Sequence, residues 1–260
     1  MSNGIKVVKR DGRSEGINLE KVHKMVDLAC EGLAGVSASQ VEIQSGLQFF
    51  DNIETKQIQE ILVRSASDLI TLETPNYQFV AARLLLFGLR KTVHGHPEEF
   101  PQLIDHVRQC VKQGVYDASI LNKYNDEEWD VIDSWIDHDR DYLFTYAGLR
   151  QVVDKYLVQD RSSGEHYETP QEMYMMIAVT LFQNYPQETR LDYVRRYYNA
   201  ISKHRINIPT PVMAGVRTPL RQFASCVLVD VDDTLDSIFS SDMAIGYYVA
   251  QRAGIGINAG

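Results

Sequence analysis

The chain has 260 residues, of which 44% are hydrophobic and 23% are charged, which is the composition of an ordinary soluble protein with about two domains. It has no apolar run near the ~20 residues that cross a bilayer and no N-terminal segment of the signal-peptide type. Its net charge of -9 argues against general binding to duplex DNA, because neutralising phosphates requires a face rich in lysine and arginine.

The N-terminal region predicts a β-hairpin followed by helices, and we place this module at residues 1–95. Residues 5–18 alternate around Asp11-Gly12, a turn signal because both central positions of such a turn tolerate positive φ. Asn18 is placed to cap a helix whose apolar residues, from Val22 to Leu33, recur at three- and four-residue spacing. Further helices are predicted to begin at Ser37 or Ser39, at Thr55 as an N-cap, and at Thr74-Pro75.

The middle region, residues 96–220, is predicted to be mostly helical. Apolar stripes run from Leu103 to Val111, from Met173 to Phe182 and from Tyr193 to Ile201, while two short strands are expected around Ser163-Gly164. At Pro209 and Pro211 the paired prolines predict extended backbone instead of helix.

The last region, residues 221–260, predicts a strand, a helix and a glycine-rich segment. The strand is expected at about Arg221 to Val229 and the helix from Leu235 to Gln251, after an N-cap cluster at residues 232–234. Gly254 to Gly260 is expected to be a strand or loop. Its glycine spacing and the lack of a following helix in the sequence argue against a dinucleotide-binding loop.

Two clusters of charged residues are candidate sites, and each has a purely structural alternative. The turn Lys9-Arg10-Asp11-Gly12-Arg13 suits a polyphosphate if Thr55 and Lys91 face the same pocket; otherwise it is a solvated hairpin. His138, Asp139 and Asp141 could ligate a divalent metal in a phosphohydrolase. A hydrogen-bonded turn with internally paired charges is the favoured interpretation there, and no metal is expected.

Three widely spaced cysteines, Cys30, Cys110 and Cys226, favour the reducing cytoplasm over a disulfide framework. Cys30 and Cys110 lie on apolar helix faces. Cys226 lies on a predicted strand, and from the strand pattern alone buried packing is the better interpretation, since free cysteine is among the most buried residues.

A set of segments in order along the chain changes that interpretation. They are VVKRDGRSEGINLEKVH, PNYQFVAARLLLFGLRK, IDHDRD, YLVQDRSSGE, NYPQETRLDYVRRYY, IPTPVMAGVRTPLRQFASCVL and QRAGIGINAG, and together they span nearly the whole chain. With these segments the chain resembles the N-terminal part of the large, catalytic subunit of class I ribonucleotide reductase, of the kind found in enteric bacteria and their large phages.

The resemblance implies an α+β ATP-cone, a helical domain and then the first strand of a ten-stranded α/β barrel. It implies an ATP/dATP site, a substrate site, a dimer-interface site for the effector that sets substrate specificity, and one member of a redox-active cysteine pair, Cys226. The residues carried over are Lys9, Glu15, Gly16, Ile17, Asn18, Leu19, Glu20, Lys21, Thr55 and Lys91 for ATP/dATP; Thr210, Ser225 and Gly254 for substrate; and Asp233, Thr234 and Leu235 for specificity.

The resemblance also implies the chemistry and the partners. A thiyl radical on another cysteine removes the 3′ hydrogen of a ribonucleoside diphosphate, the 2′ hydroxyl leaves as water, and the cysteine pair becomes a disulfide. The radical arises through a separate metal-containing small subunit, and thioredoxin or glutaredoxin restores the thiols. We expect a large-subunit dimer in the cytoplasm (the host cytoplasm if a phage encodes it), with no membrane or DNA partner.

Two differences from the family limit how far its properties can be carried over to this chain. Gln59 and Gly88 stand where related enteric sequences have histidines, so we expect nucleotide to bind with weak or absent inhibition by dATP. The partner of Cys226 and the radical cysteine lie outside these residues. We therefore expect a complementary chain to supply the rest of the barrel, unless the sequence is a fragment. The alternative function is a nucleotide-sensing regulatory module in which Cys226 is only structural.

Overall fold

The computed structural model describes residues 5–9, 12–46, 48–220, 223–251 and 253–259, so the predicted turn residue Asp11 and the expected strand start at Arg221 lie outside it. The described residues form mainly helices, with short strands between some of them. In order they are β1 (Lys6–Val8), β2 (Ser14–Gly16), α1 (Leu19–Cys30), α2 (Ala38–Gly46), β3 (Ile53–Glu54), α3 (Thr55–Asp68), α4 (Tyr77–His94), α5 (Leu103–Lys112), α6 (Asp126–Asp133), α7 (Tyr146–Gln151), β4 (Gln159–Asp160), β5 (Glu165–His166), α8 (Pro170–Phe182), α9 (Gln187–Ser202), α10 (Thr210–Gly215), β6 (Cys226–Val231), α11 (Leu235–Ala250) and β7 (Gly254–Ala259).

The chain forms two compact units, and the N-terminal unit includes a segment from later in the sequence. Unit 1 comprises residues 1–102 and 137–171, and unit 2 comprises residues 103–136 and 172–260. These divisions differ from the predicted domains 1–95, 96–220 and 221–260, which stay a prediction. No described helix combines the length and the apolar character that crossing a membrane requires.

The predicted hairpin is confirmed and forms part of a three-stranded sheet in unit 1. β1 and β2 pair antiparallel with Val7 opposite Glu15, and Gly12 adopts the positive φ of 83° that the turn requires. β3 adds to the other side of β1 as a parallel neighbour, with Val7 opposite Ile53. The sequence analysis missed β3, because a strand of two residues is too short to show an alternation of apolar and polar side chains.

The helices of unit 1 pack on this sheet around a buried core. As predicted, Asn18 caps α1, and its side-chain oxygen accepts from the backbone N–H of Lys21 at 3.0 Å. The prediction that Thr55 caps α3 is wrong. Glu54 holds the cap position, and its backbone N–H donates to Oε1 of Gln57 at 3.0 Å, so Thr55 is the first residue of the helix.

Helix α4 is the central element of unit 1 and packs against α1, α3 and α7. It buries an almost continuous face because its apolar residues recur at helical spacing. The core cluster around it contains Val7, Val26, Ala29, Val41, Ile53, Ile58, Leu62, Val63, Ala66, Tyr77, Val80, Ala81, Leu84 and Phe87.

The later segment of unit 1 begins with a 3₁₀ helix over His138–Leu143 and continues through α7 and a π-helical turn over Val152–Tyr156. The predicted strand pair around Ser163-Gly164 is confirmed as β4 and β5, with Gln159 opposite His166. Gly164 has a φ of 72°, which suits glycine at the turn.

Unit 2 contains the predicted helical stripes as α5, α8 and α9, and α8 is buried on all sides from Met173 to Val179. The expectation of extended backbone through Pro211 is wrong. Pro209 is extended and caps α10, while Pro211 lies in the first turn, where its missing N–H costs no helical hydrogen bond.

The C-terminal part of unit 2 is a strand–helix–strand unit. β6 and β7 pair in parallel with Cys226 opposite Gly254, and α11 connects them. This confirms the predicted strand, helix and glycine-rich strand, although β6 begins at Cys226. A parallel pair with a helical crossover is the repeating unit of α/β barrels, and the barrel itself stays a prediction.

Candidate functional site

A cleft of about 500 Å³ opens in unit 1 between β1, α1, α3 and the C-terminal half of α4. It brings together residues from distant points of the sequence. Six predicted residues line it: Lys9, Ile17, Asn18, Lys21, Thr55 and Lys91. The convergence of the hairpin with Thr55 and Lys91, which the sequence could not establish, is therefore present.

The described lining of this cleft is predominantly positively charged. Lys24 lines it together with Lys9, Lys21 and Lys91, against one acidic lining residue, Glu98. Lys9 Nζ lies 2.7 Å from Oε1 of Glu15, and this hydrogen bond is the main cause that lowers the pKa of Glu15. Such a set of ammonium groups suits a ligand that carries several negative charges.

Two helix N-termini face the same cleft. Asn18 caps α1 and Thr55 opens α3, and both residues line the cavity. The first turn of a helix presents N–H groups and a partial positive charge, which adds to the attraction for phosphate.

Much of the remaining lining is apolar and includes residues that the sequence analysis did not connect with a site. Val7, Val22, Met25, Leu28, Ile58 and Phe87 line the cavity. Phe87 lies one helical turn before Lys91, so a search for residues at i−4 from the predicted lysine would have found it. A cleft lined by several lysines and by apolar and aromatic side chains can hold a nucleotide.

The remaining predicted nucleotide residues do not line the cleft. Glu15 and Gly16 lie on β2, and Leu19 and Glu20 begin α1; all are exposed, Leu19 at 61%. Glu15 contributes indirectly through its ion pair with Lys9.

A second group of predicted residues meets where β6 and β7 begin. The backbone N–H of Gly254 donates to the carbonyl of Ser225 at 2.8 Å, and the Ser225 hydroxyl lies 3.9 Å from Sγ of Cys226. Cys226 is exposed, so the interpretation of this thiol as buried packing is wrong for this structure. Thr210 lies apart in the sequence, at the first position of α10.

The segment between β6 and α11 carries the predicted specificity residues. Thr234 caps α11, and its Oγ1 accepts from the backbone N–H of Ser237 at 3.2 Å, which confirms the predicted N-cap. Asp233 is exposed, and Leu235 exposes 70% of its surface at the first position of the helix.

The charges around His138 are paired within the protein. Asp141 accepts from Nη2 of Arg90 at 3.0 Å and from Nε2 of Gln171 at 2.9 Å, and the His138 ring stacks on Phe100 at a centroid distance of 3.5 Å. Asp141 is thus hydrogen-bonded, although to Arg90 and Gln171, which lie outside the turn, and the expectation that this segment holds no metal stays a prediction.

Comparison with known protein families matches the same regions of the chain. The ATP cone domain matches residues 5–92, which contain most of the residues that line the cleft, and the all-alpha domain of ribonucleotide reductase matches residues 142–221. Similar proteins include the ribonucleoside-diphosphate reductase subunit alpha of Haemophilus influenzae and of phage T4, and the ribonucleoside-diphosphate reductase 1 subunit alpha of Escherichia coli. Those of Haemophilus influenzae and Escherichia coli are each 52% identical to the chain over 260 residues, and that of phage T4 is 43% identical over 258 residues.

The chain is a relative of the N-terminal third of ribonucleotide reductase alpha subunits. All of this chain aligns with the two bacterial proteins and 98% of it with the phage protein, and in each case it spans 34% of the relative. The predicted family is therefore confirmed, including the ATP cone and the all-alpha domain.

Within the region that matches the ATP cone, Gln59 and Gly88, which the resemblance singled out, lie against each other. Gln59 on α3 lines the cleft, and its Nε2 donates to the carbonyl of Leu84 on α4 at 2.5 Å. A Cβ added to Gly88 would lie 2.9 Å from Cγ of Gln59, which is closer than real Cβ contacts. The Gln59 side chain therefore fits where it does because residue 88 is glycine.

Proposed function

We propose that this chain is the N-terminal part of a ribonucleoside-diphosphate reductase large subunit and that its cleft binds ATP and dATP as effectors. The observation that carries the proposal is the meeting of four lysines and two helix N-termini at one apolar-walled cleft. The lysines bind the phosphates, and Ile58 and Phe87 contact the base.

Calorimetric titration of the 260-residue chain with ATP and with dATP tests this binding. Lys91→Ala removes one charge-assisted contact, worth about 1.5–3 kcal/mol, so we expect affinity to fall by about tenfold or more. Lys112→Ala is the matched control, because Lys112 ends α5 in unit 2 and is absent from the cleft. Equal affinities for all three proteins would contradict the assignment of the cleft.

We propose further that Cys226 is one member of the redox-active pair. In the proposed reaction a thiyl radical on another cysteine abstracts the 3′ hydrogen of the substrate. The 2′ hydroxyl takes a proton from the thiol pair and leaves as water, and Cys226 and its partner thiol supply two electrons while forming a disulfide. The first cysteine then returns the hydrogen to C3′ and becomes a thiyl radical again. The exposure of Cys226 at the start of a hydrogen-bonded strand supports this role, since a rigid backbone holds the thiol in place.

The surrounding roles follow from the same proposal. Ser225 and Gly254 contact the substrate beside Cys226, and Thr210 contacts it from α10. Asp233, Thr234 and Leu235 form part of the site for the specificity effector at the interface of a large-subunit dimer.

The proposed chemistry needs partners and further sequence. They are the remaining barrel strands with the second cysteine, a metal-containing small subunit that generates the radical, and thioredoxin or glutaredoxin as reductant. The reaction takes place in the cytoplasm.

A nucleotide-sensing regulatory module is the second candidate, because the cleft stands independently of Cys226. Cys226→Ser in a reductase completed with the rest of the barrel and the small subunit distinguishes the two. The proposed role predicts loss of turnover with a dithiol reductant and unchanged ATP affinity. Full turnover of the variant would favour the regulatory module.

Finally, we propose that the cone binds nucleotide while dATP inhibits only weakly, because Gln59 and Gly88 replace two histidines of the enteric pattern. Activity of the completed enzyme across dATP concentrations tests this. Strong inhibition at low dATP would refute it.

A further inference from the structure

Unit 1 contains a second cleft of about 540 Å³, on the other side of the contact between α3 and α4. Its walls come from these two helices, from α7 and from the β4–β5 strand pair, with Lys56, Glu60, Leu89 and Arg150 among its lining residues. Gln59 lines both this cleft and the nucleotide cleft, which places its side chain at the boundary between them.

The chain neighbours of Gln59 and Gly88 divide between the two cavities. Ile58 and Phe87 line the nucleotide cleft, whereas Glu60 and Leu89 line the second cleft. The boundary therefore runs through Gln59 on α3 and Gly88 on α4.

The Gln59 side chain closes this boundary and is held in place. Its Nε2 donates to the Leu84 carbonyl at 2.5 Å, so the side chain reaches from α3 onto the surface of α4. On α4 it covers Gly88, where a Cβ would lie 2.9 Å from Cγ of Gln59 and 3.4 Å from its Cδ. A residue other than glycine at position 88 has to displace Gln59, because α4 is packed on several sides and cannot retreat.

We propose that Gln59 and Gly88 act as one unit, a partition that ends the nucleotide cleft and limits how far a bound base can extend from it. The inference rests on the proposed binding of ATP in this cleft. In the proposed binding mode the base lies against Ile58 and Phe87, the chain neighbours of Gln59 and Gly88, so Gln59 selects adenine nucleotides without a bulky substituent on the base. Glutamine at position 59 and glycine at position 88, the two departures from the enteric pattern, are then coupled, because the glycine leaves room for the glutamine side chain.

The test is calorimetric binding of ATP and of N6-benzyl-ATP to the 260-residue chain. The wild-type chain should bind the benzyl analogue at least about tenfold more weakly than ATP, because the partition excludes the added ring. Gln59→Ala opens the boundary into the second cleft, so the two ligands should bind within about threefold of each other. Glu60→Ala is the matched control; Glu60 lines only the second cleft, and this variant should keep the wild-type preference.

A second arm measures coupling between the two positions. Gly88→Ala should weaken ATP binding in the wild-type background, because the new Cβ displaces Gln59, and should have little effect in the Gln59→Ala background. Circular dichroism confirms folding of each variant. If Gly88→Ala does not fold, the benzyl-ATP comparison decides alone.

The outcomes separate the two proposals. If the wild-type chain binds ATP and Gln59→Ala still rejects the benzyl analogue, the partition is overturned and the nucleotide cleft survives. Additive effects of the two substitutions also overturn it. If the wild-type chain does not bind ATP, the proposed function fails, and the inference fails with it.

Discussion

Replacing Arg90 by methionine tests the buried ion pair that joins α4 to the later segment of unit 1. The Arg90 side chain exposes 2% of its surface and that of Asp141 exposes 0%, and Arg90 also donates to the carbonyl of His138 at 2.6 Å. Methionine keeps much of the volume and leaves the Asp141 carboxylate buried without its cation. Breaking a buried pair in this way costs about 3–5 kcal/mol of unfolding free energy.

A double variant separates the lost pair from the uncompensated charge. Arg90→Met/Asp141→Asn retains an amide oxygen for the bond from Gln171 and leaves no buried charge, so it should be less destabilised than Arg90→Met alone. The control is Arg83→Met on the same helix. Arg83 donates to the carbonyls of Ala29 and Glu31 and leaves no buried charge behind when it is replaced, so its loss should cost less, about 1.5–3 kcal/mol.

Hydrogen exchange of the α4 amides is the suitable assay, because both tryptophans, Trp129 and Trp135, lie in unit 2 and their fluorescence does not report on unit 1. The reasoning would be refuted if Arg90→Met lowered the opening free energy of α4 by no more than Arg83→Met. It would also be refuted if the double variant were the least stable of the set.

Three further predictions follow. Burial alone would raise the pKa of Glu128, but the hydrogen bonds from Arg190 lower it. The pair therefore stabilises the fold above the unfolded-state pKa of about 4.3, and this stability is lost as the pH falls through the folded-state pKa. Glu128→Gln should flatten the acid side of the curve of unfolding free energy against pH, and an unchanged acid side would contradict this. Gly246→Ala should raise the thermal stability of α11 by about 1 kcal/mol, measured by circular dichroism, because the new Cβ meets nothing within 4 Å. Burial raises the pKa of Cys30 to about 11, whereas Cys226 is exposed, so iodoacetamide at about pH 8 should label Cys226 first. Cys226→Ser should abolish the fast phase of labelling, which mass spectrometry follows.

The sequence predicted those elements whose signals are local. The hairpin follows from its turn residues and α1 from the Asn18 cap, while α8 and α9 follow from their apolar spacing. Where two local signals compete, the predictions were wrong: Pro211 opens a helix instead of preventing one, and Glu54, not Thr55, caps α3.

The site was predictable only in part, because a cleft is a property of packing. Lys9, Lys21, Lys91 and the cap residue Asn18 were identified from the resemblance, whereas Lys24 was missed. The contributions of Ile58 and Phe87 depend on which face of each helix borders the cleft, and that is set by packing. The contact between Gln59 and Gly88 joins positions that are far apart in the sequence, and no local pattern reveals that one side chain fills the space over the other.

Four residues within about one turn of helix α4 have different roles, and they point in different directions. Phe87 and Lys91 line the first cavity, and Gly88 lines the second. Arg90 forms the buried ion pair with Asp141. Each residue of a helix rotates the side-chain direction by about 100°. A one-residue insertion or deletion just upstream would therefore misdirect all four side chains at once, so this stretch should tolerate replacement far better than any change in length.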